Sequence, residues 1–302
     1  MDIKLTLDDV MKEPITIHIA AVMGAGKSMF IKLLQANERW LMEDFGLEEK
    51  FVYPFIEDTP HGEDWKLYQD VITGDKPHII TFDTQSWFMN QKLGIYYQAA
   101  GQDYPGCPGF FRPDGNIGLD ARSRFSNYNY NPNQDRKPGI YIGERLAKAD
   151  LDVFAARYKH LFIPGDKDTP GSYEHYRHLY SKLVDEAPLP DVFLELLSTP
   201  KISKKRVDNR GTGEKLSLED YEEMDARYTL YVKPFIKCTG RPCISIDTTL
   251  PSLDYTSPDG QAYMLTRFFR ELREINEDYW KLDRNLLRWK PYLSKQDISP
   301  DG

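Results

Sequence analysis

A glycine-rich turn between a predicted strand and a predicted helix constrains this chain more than any other feature. The β-branched segment 15–21 is typical of a short buried strand, and the apolar residues of 29–34 are typical of one side of a helix. The connecting segment, Ala21-Val-Met-Gly-Ala-Gly-Lys-Ser28, matches the phosphate-loop pattern G-x-x-x-x-G-K-[ST], except that Ala21 replaces the first glycine. This order of strand, loop and helix predicts a nucleotide site.

The chemistry of the pattern gives each residue of the loop a role. Glycines let backbone N–H groups point at phosphate oxygens, and the helix N-terminus that follows favours negative charge. We therefore expect Gly24, Ala25 and Gly26 to hold the phosphates, Lys27 to reach the β- and γ-phosphates, and Ser28 to hold Mg²⁺. The motif predicts a bound triphosphate such as ATP but no particular reaction, because ATPases, GTPases and kinases share it.

Further predicted strands alternate with predicted helices along the chain. The strands are 51–56, 139–142, 190–197 and 242–247, and the helices lie within 63–98, 150–160, 172–187 and 261–275, with another starting at the capping box of 217–220. Such alternation predicts an α/β fold in which helices flank a central parallel sheet in three layers, and the phosphate-loop pattern makes this fold one of the P-loop NTPase type. We expect a single domain over 1–302, with an irregular insertion at about 100–139 and a C-terminal extension from about 276, whose aromatic residues should serve as packing anchors.

Composition excludes several classes of protein. A formal charge of −8 over 302 residues argues against a broad basic surface for nucleic acid. The chain contains no run of 18 apolar residues, so we expect no membrane span. Three cysteines form no disulfide or metal-ligand pattern, which favours a reducing compartment. The acidic N-terminus lacks a signal or transit character, so we expect a cytoplasmic protein, with the mitochondrial matrix as the alternative if a presequence has been removed.

Four later segments, in the same order, resemble motifs of the deoxynucleoside kinase family, which includes the deoxycytidine and deoxyguanosine kinases. They are Phe55-Ile-Glu57, the pair Gln85 and Lys92, the run from Gly143 to Phe154, and the basic stretch 204–210. The resemblance implies transfer of the ATP γ-phosphoryl group to the 5′-hydroxyl of a deoxynucleoside, with Mg²⁺ as cofactor. Many relatives are dimers, so a homodimer is compatible with it, although the sequence does not fix the oligomeric state.

The resemblance also implies roles around the transferred group. Glu57 would be the general base on the 5′-hydroxyl, with Asp58 as the substitute, because the attacking hydroxyl must lose a proton. Glu144 would hold Mg²⁺ or its water, and Arg145 would neutralise phosphate charge. The residue after this arginine is a serine in the family and Leu146 here.

Other positions would address the nucleoside and the ATP phosphates. Gln85, Lys92 and Asp150 would face the base, with Lys92 standing where the family has arginine, and Tyr68 and Glu214 would contact the sugar 3′-hydroxyl. Arg206 and Arg210, with Lys205 behind them, would act as cations of a lid over the phosphates, although a plain charged loop is the competing interpretation. The segment 244–247 would lie beside the adenine of ATP.

Two alternatives remain open at this point. A kinase of deoxynucleoside monophosphates or modified nucleotides would need additional cations, which Arg112, Arg122, Arg124 and Arg136 of the insertion would provide. The accessory subunit of respiratory NADH dehydrogenase keeps the same fold without being an established kinase, and the departures at Ala21 and Leu146 are compatible with such a non-catalytic role. The insertion itself would either wall the acceptor site or bind a partner.

Overall fold

The computed structural model describes residues 4–55, 79–102, 136–210, 216–249 and 257–282. Within these ranges, five parallel strands form one sheet in the order β2-β3-β1-β4-β5. The strands are β1 (Pro14–Ala20), β2 (Val52–Phe55), β3 (Gly139–Gly143), β4 (Val192–Leu197) and β5 (Cys243–Asp247). The strand that leads into the glycine-rich loop is thus the central one, paired with β3 on one side and β4 on the other.

The described helices connect and cover these strands. They are α1 (Leu7–Val10), α2 (Lys27–Phe45), α3 (Ile79–Ala99), α4 (Ala147–Ala149, a π-helical turn Asp150–Phe154, and Ala155–Arg157), α5 (Tyr173–Glu186), α6 (Pro200–Asp208), α7 (Leu218–Arg227, a π-helical turn Tyr228–Val232, and Lys233–Thr239) and α8 (Pro258–Ile275). Two short 3-10 helices cover Lys159–Leu161 and Glu277–Tyr279. None of the described helices is both long enough and apolar enough to cross a lipid bilayer.

Both faces of the central strand are buried. His18 stacks on Tyr96 of α3, with their ring centroids 3.8 Å apart, whereas the alternate residues Ile17 and Ile19 point to the opposite face and are fully buried. A parallel strand that is apolar and buried on both faces requires helices on each side of the sheet. The predicted α/β class, with helices flanking a parallel sheet, is confirmed.

Two predicted segments differ in the structure. The helix predicted at 150–160 starts earlier, at Ala147, and its chain widens into the π-helical turn Asp150–Phe154. The basic stretch, interpreted from sequence as a lid or a charged loop, is largely the helix α6. The Thr199 hydroxyl caps its start by accepting the amide of Ile202, and Pro200 follows at the first helical position, a combination that favours helix initiation.

The two ends of the described chain pack against each other. Trp280 is 1% exposed and stacks on Phe269 of α8 at 3.6 Å between ring centroids, so this aromatic residue is a packing anchor, as predicted. Backbone bonds join the termini: the amide of Lys12 donates to the carbonyl of Asp278 at 2.8 Å, and the amide of Lys281 donates to the carbonyl of Val10 at 2.8 Å. Residues 56–78, most of the expected insertion (103–135) and the end of the chain (283–302) lie outside the described residues.

A single threonine lies where the chain leaves and rejoins the fold around the expected insertion. Thr16, near the start of β1, donates its hydroxyl to the carbonyl of Ala99 at the end of α3. The same hydroxyl oxygen accepts a bond of 2.8 Å from the guanidinium of Arg136, which lies three residues before β3. Both contacts lie at the amino end of the parallel strands, whereas the glycine-rich loop follows their carboxyl end. Arg136 therefore lies at the opposite end of the strands from that loop.

Candidate functional site: a glycine-rich loop in contact with an acid

The glycine-rich loop joins the end of β1 to the start of α2. Gly24 and Gly26 both have positive φ, at 78° and 98°, which is the left-handed region that favours glycine. Gly26 is the N-cap of α2, so Lys27 and Ser28 are its first two residues and their amides lie at the positive end of the helix. Ala21, which replaces the first glycine of the pattern, is buried in the hydrophobic core. The loop therefore keeps the features of an anion-binding turn.

The side chain of Lys27 extends from the start of α2 to the backbone at the beginning of this loop. Its side chain is almost completely buried, and its ammonium donates to the backbone carbonyl of Val22 at 3.0 Å. The lysine thus spans the loop from the first turn of α2 back to the end of β1. The ammonium is therefore held against the backbone of the loop.

The loop and the acidic residue after β3 meet directly. The Ser28 hydroxyl donates to Oε1 of Glu144 at 2.6 Å, although 116 residues separate them in the chain. Glu144 is 9% exposed, and its amide donates to the carbonyl of Phe55, the last residue of β2, at 3.1 Å. The carboxyl ends of β1, β2 and β3 therefore converge on one acid. A hydroxyl and a carboxylate together are oxygen ligands of the kind that Mg²⁺ prefers, usually alongside water and phosphate oxygens.

Arg145 continues this cluster toward α4. Its guanidinium lies 3.8 Å from Oδ1 of Asp150, and its Cζ lies 5.3 Å from the ring centroid of Phe154. Asp150 in turn forms an ion pair with Lys92 of α3, and both of these side chains are buried. The described contacts thus join the loop to Glu144, and they join Arg145, the next residue in the chain, to Asp150 and through it to Lys92 of α3.

Gln85 lies two helical turns before Lys92 on α3. Its side chain is 6% exposed, and its backbone carbonyl accepts a bond of 3.5 Å from the hydroxyl of Tyr176 on α5. The Lys92 ammonium also lies 4.9 Å from the ring centroid of Phe88, one turn earlier. The structure therefore brings Lys92 and Asp150 into contact and places Gln85 on the same buried helix.

The basic helix α6 packs directly on the loop. Arg206 donates to the carbonyl of Gly24 at 3.4 Å, and its fork binds both the hydroxyl and the carbonyl of Thr248, at 3.0 and 2.6 Å. A Cβ placed on Gly24 would lie 2.5 Å from the carbonyl oxygen of Ser203, so α6 approaches the loop as closely as glycine permits. Contacts within the chain thereby fix a guanidinium beside the loop.

Thr248 holds Arg206 beside the loop, and the sequence analysis did not identify this residue. It is 3% exposed, and its hydroxyl donates to the carbonyl of Leu197 at 2.8 Å, so it joins the ends of β4 and β5. A signal was available, because polar residues that directly follow a buried parallel strand lie at the edge where α/β sheets bind ligands. The run Asp247-Thr-Thr249 has that position.

Arg210 lies outside α6, the helix that packs on the loop. It is exposed, two residues beyond the end of α6 and one residue before the undescribed segment 211–215. Glu57, Asp58, Tyr68 and Glu214 lie outside the described residues, as do Arg112, Arg122 and Arg124.

A cavity of about 210 Å³ opens beside the loop at the carboxyl ends of β4 and β5. Its walls include Val22 of the loop, Thr199 at the start of α6, and Asp247 and Thr249 after β5, with Asp225 and Tyr228 from α7. The segment 244–247, expected beside adenine, therefore ends at this cavity.

Comparison with known proteins locates the fold. No protein-family model and no curated protein sequence matches this chain. Among solved structures, the chain is similar to deoxyadenosine kinase from M. mycoides with the products dCMP and a flexible dCDP bound, at a TM-score of 0.50 and 15% identity over 87% of this chain and 99% of that chain.

Two further structures of the same kinase are also similar to this chain. One has bound dATP, with a TM-score of 0.47 and 16% identity over 84% of this chain and 99% of that one. The other has bound dCTP, with a TM-score of 0.44 and 16% identity over 85% and 99%. The likeness to the first of these structures and the five-stranded parallel sheet show that this chain has a deoxynucleoside kinase-like fold.

Proposed function

We propose that this protein transfers the γ-phosphoryl group of ATP to the 5′-hydroxyl of a deoxynucleoside, giving the deoxynucleoside monophosphate. One observation carries the proposal: the Ser28 hydroxyl of the phosphate loop lies 2.6 Å from the Glu144 carboxylate, with Arg145 next to it. A phosphoryl-transfer site needs a loop that holds the donor and charged groups that meet the transferred group at one point. These residues come from two distant parts of the chain and meet at the carboxyl edge of the sheet.

The donor side of the reaction rests on groups with fixed positions. The backbone of 24–26 and the Lys27 ammonium would bind the β- and γ-phosphates, and the guanidinium of Arg206 lies against the same loop. Because these donors are already held in place, little reorganisation is needed when charge spreads over the transferred group. The cavity beside Val22 offers space for the adenine end of the donor.

Ser28 and Glu144 would hold Mg²⁺. Their oxygens are adjacent and Glu144 is largely shielded from water, which fits a cation that takes one or two protein oxygens and completes its shell with phosphate and water. When bound, Mg²⁺ neutralises charge on the β- and γ-phosphate oxygens.

The acceptor side is assigned to the residues beyond Arg145. Gln85, Lys92 and Asp150 would address the base, Tyr68 and Glu214 the sugar, and Glu57 would take the proton of the 5′-hydroxyl. In support, the Lys92–Asp150 pair offers one donor and one acceptor next to Arg145. A monophosphate acceptor has less support, because Arg136, one of the four cations invoked for it, binds Thr16 at the far edge of the sheet.

The test is ADP formation by the purified chain with ATP and Mg²⁺, across the four deoxynucleosides and their monophosphates. We expect ADP with at least one deoxynucleoside, and a loss of at least about a hundredfold in kcat for Lys27→Met and for Glu144→Gln. Glu222→Gln is the matched control, since Glu222 is an exposed acid of α7 outside this cluster.

The remaining outcomes contradict the proposal in different ways. ADP formed only with monophosphates would move the acceptor to that class. Absence of both ADP formation and ATP binding would favour a non-catalytic, kinase-like protein. Equal activity of Glu144→Gln and Glu222→Gln would remove Glu144 from the reaction.

A further inference from the structure

The helix that follows Glu144 and Arg145 begins without a side-chain cap of its own. Leu146 occupies the N-cap position in an extended conformation, and its side chain can accept no hydrogen bond. The first amides of any helix have no partner within the helix, and a buried amide without a partner is costly. The amides of Ala149 and Asp150 are bound by the carbonyl of Leu146, at 3.0 and 3.4 Å, whereas the amide of Ala147 needs a partner from another element.

A tyrosine of α3 supplies that partner. The Tyr96 hydroxyl oxygen accepts the Ala147 amide at 2.5 Å in a fully buried setting. The Tyr96 ring is held in place on its other side, where it stacks on the buried ring of His18 at 3.8 Å between centroids. Burial raises the pKa of Tyr96 well above its ordinary value, so its hydroxyl stays neutral across the usual pH range.

We propose that Tyr96 is a positioning residue for Glu144 and Arg145, and that its hydroxyl, which belongs to another helix of the same chain, satisfies the first amide of α4, an amide that a side chain at the N-cap position does not reach. The inference rests on the proposed function for its consequence, because the two charged residues are separated from the capped amide only by Leu146. Hydrogen bonds from backbone amides fix this connection at both ends: the amide of Glu144 donates to the carbonyl of Phe55, and the amide of Ala147 donates to the hydroxyl of Tyr96. Loss of the second bond would let Arg145 shift while the ring packing of α3 stays intact.

The variant Tyr96→Phe removes only the hydroxyl and keeps the stack on His18. Tyr141→Phe is the matched control, because Tyr141 is a buried tyrosine on β3 whose hydroxyl donates to the carbonyl of Lys137 at the other end of that strand. The first readout is hydrogen exchange of the peptide 144–150 in the chain without ligand. We expect exchange to become about five- to tenfold faster in Tyr96→Phe, the effect of losing one helix cap, and to stay unchanged there in Tyr141→Phe.

The second readout is a double-mutant cycle with Arg145→Ala on kcat. Tyr96→Phe alone should lower kcat by about three- to tenfold, and the same substitution in an Arg145→Ala background should lower it by less than about twofold. A purely structural role would instead give the same factor in both backgrounds. Equal factors, or unchanged exchange at 144–150, would overturn the inference.

The two proposals can fail separately. If no phosphoryl transfer occurs with any acceptor but Tyr96→Phe accelerates exchange only at 144–150, the cap stands and the proposed function falls. If phosphoryl transfer occurs and Tyr96→Phe leaves both kcat and exchange unchanged, the function stands and the positioning role falls.

Discussion

The close approach of α6 to the phosphate loop gives a prediction that can be worked through in energies. The substitution Gly24→Ala acts on a residue with φ of 78° whose new Cβ would lie 2.5 Å from the carbonyl oxygen of Ser203. The left-handed conformation costs a non-glycine residue about 1–2 kcal/mol. Displacing packed backbone costs about a further 1–3 kcal/mol. We therefore expect the free energy of unfolding to fall by about 2–5 kcal/mol.

Gly240→Ala separates the two contributions. Gly240 has φ of 69°, and a Cβ added there would meet no atom within 4 Å, so this variant should lose only the conformational part, about 1–2 kcal/mol. The assay is urea unfolding of the ligand-free chain, followed by intrinsic fluorescence, for the parent and both variants. An equal loss for the two variants would refute the reasoning, since it would mean that α6 does not press on the loop in solution.

Three further predictions concern the Lys92–Asp150 pair, His18 and Arg206. Lys92→Met removes the nearer of two cations at the buried Asp150 carboxylate and leaves the Arg145 guanidinium at 3.8 Å, so it should lower the free energy of unfolding by up to about 3–5 kcal/mol. Most of this loss should be restored when Lys92→Met is combined with Asp150→Asn, and a loss under about 1 kcal/mol in urea unfolding would contradict burial of the pair. Burial lowers the pKa of His18 from 6.5 to about 3, so the unfolded state binds the proton first and the free energy of unfolding should decline as pH falls from 6.5 toward 3, by up to about 1.4 kcal/mol per pH unit; a His18→Phe variant with the same slope would contradict this origin. Arg206→Lys keeps the charge but loses the fork on Thr248, so hydrogen exchange over 200–208 should become about tenfold faster, and unchanged exchange would show that the fork does not hold α6.

Local sequence patterns predict the central strand, the glycine-rich loop and most of the other strands and helices. Strand β1, the turn with its two glycines and the start of α2 follow from residues that are neighbours in the chain, so their conformation depends on local sterics and burial. The π-helical turn at Asp150–Phe154 was not predicted. It adds one residue to a helical turn, and this changes the spacing of the apolar residues too little to distinguish it from an α-helix in the sequence. Thr199 and Pro200 form a helix-start signal that indicates the beginning of α6. The sequence analysis did not use this signal, because it interpreted the basic stretch as a lid.

The candidate site was predictable in its residue types but not in its contacts. A resemblance in motif order brought Ser28, Glu144 and Arg145 into one hypothesis, and parallel strands that end at the same edge give a physical reason for their meeting. The bond from the Ala147 amide to the Tyr96 hydroxyl and the fork of Arg206 on Thr248 join residues that are 51 and 42 positions apart. Such pairings depend on how helices pack on the sheet, which no local spacing specifies.

The bonds at Thr16 have a consequence for how this architecture can diversify. The carbonyl of Ala99 and the guanidinium of Arg136 meet on one hydroxyl, so the polypeptide departs from and returns to almost the same point. The entropy of closing such an excursion grows only slowly with its length. Descendants of this chain can therefore gain, lose or exchange the intervening stretch while the strands, and the glycine-rich loop at the opposite end of these strands from that junction, keep their positions.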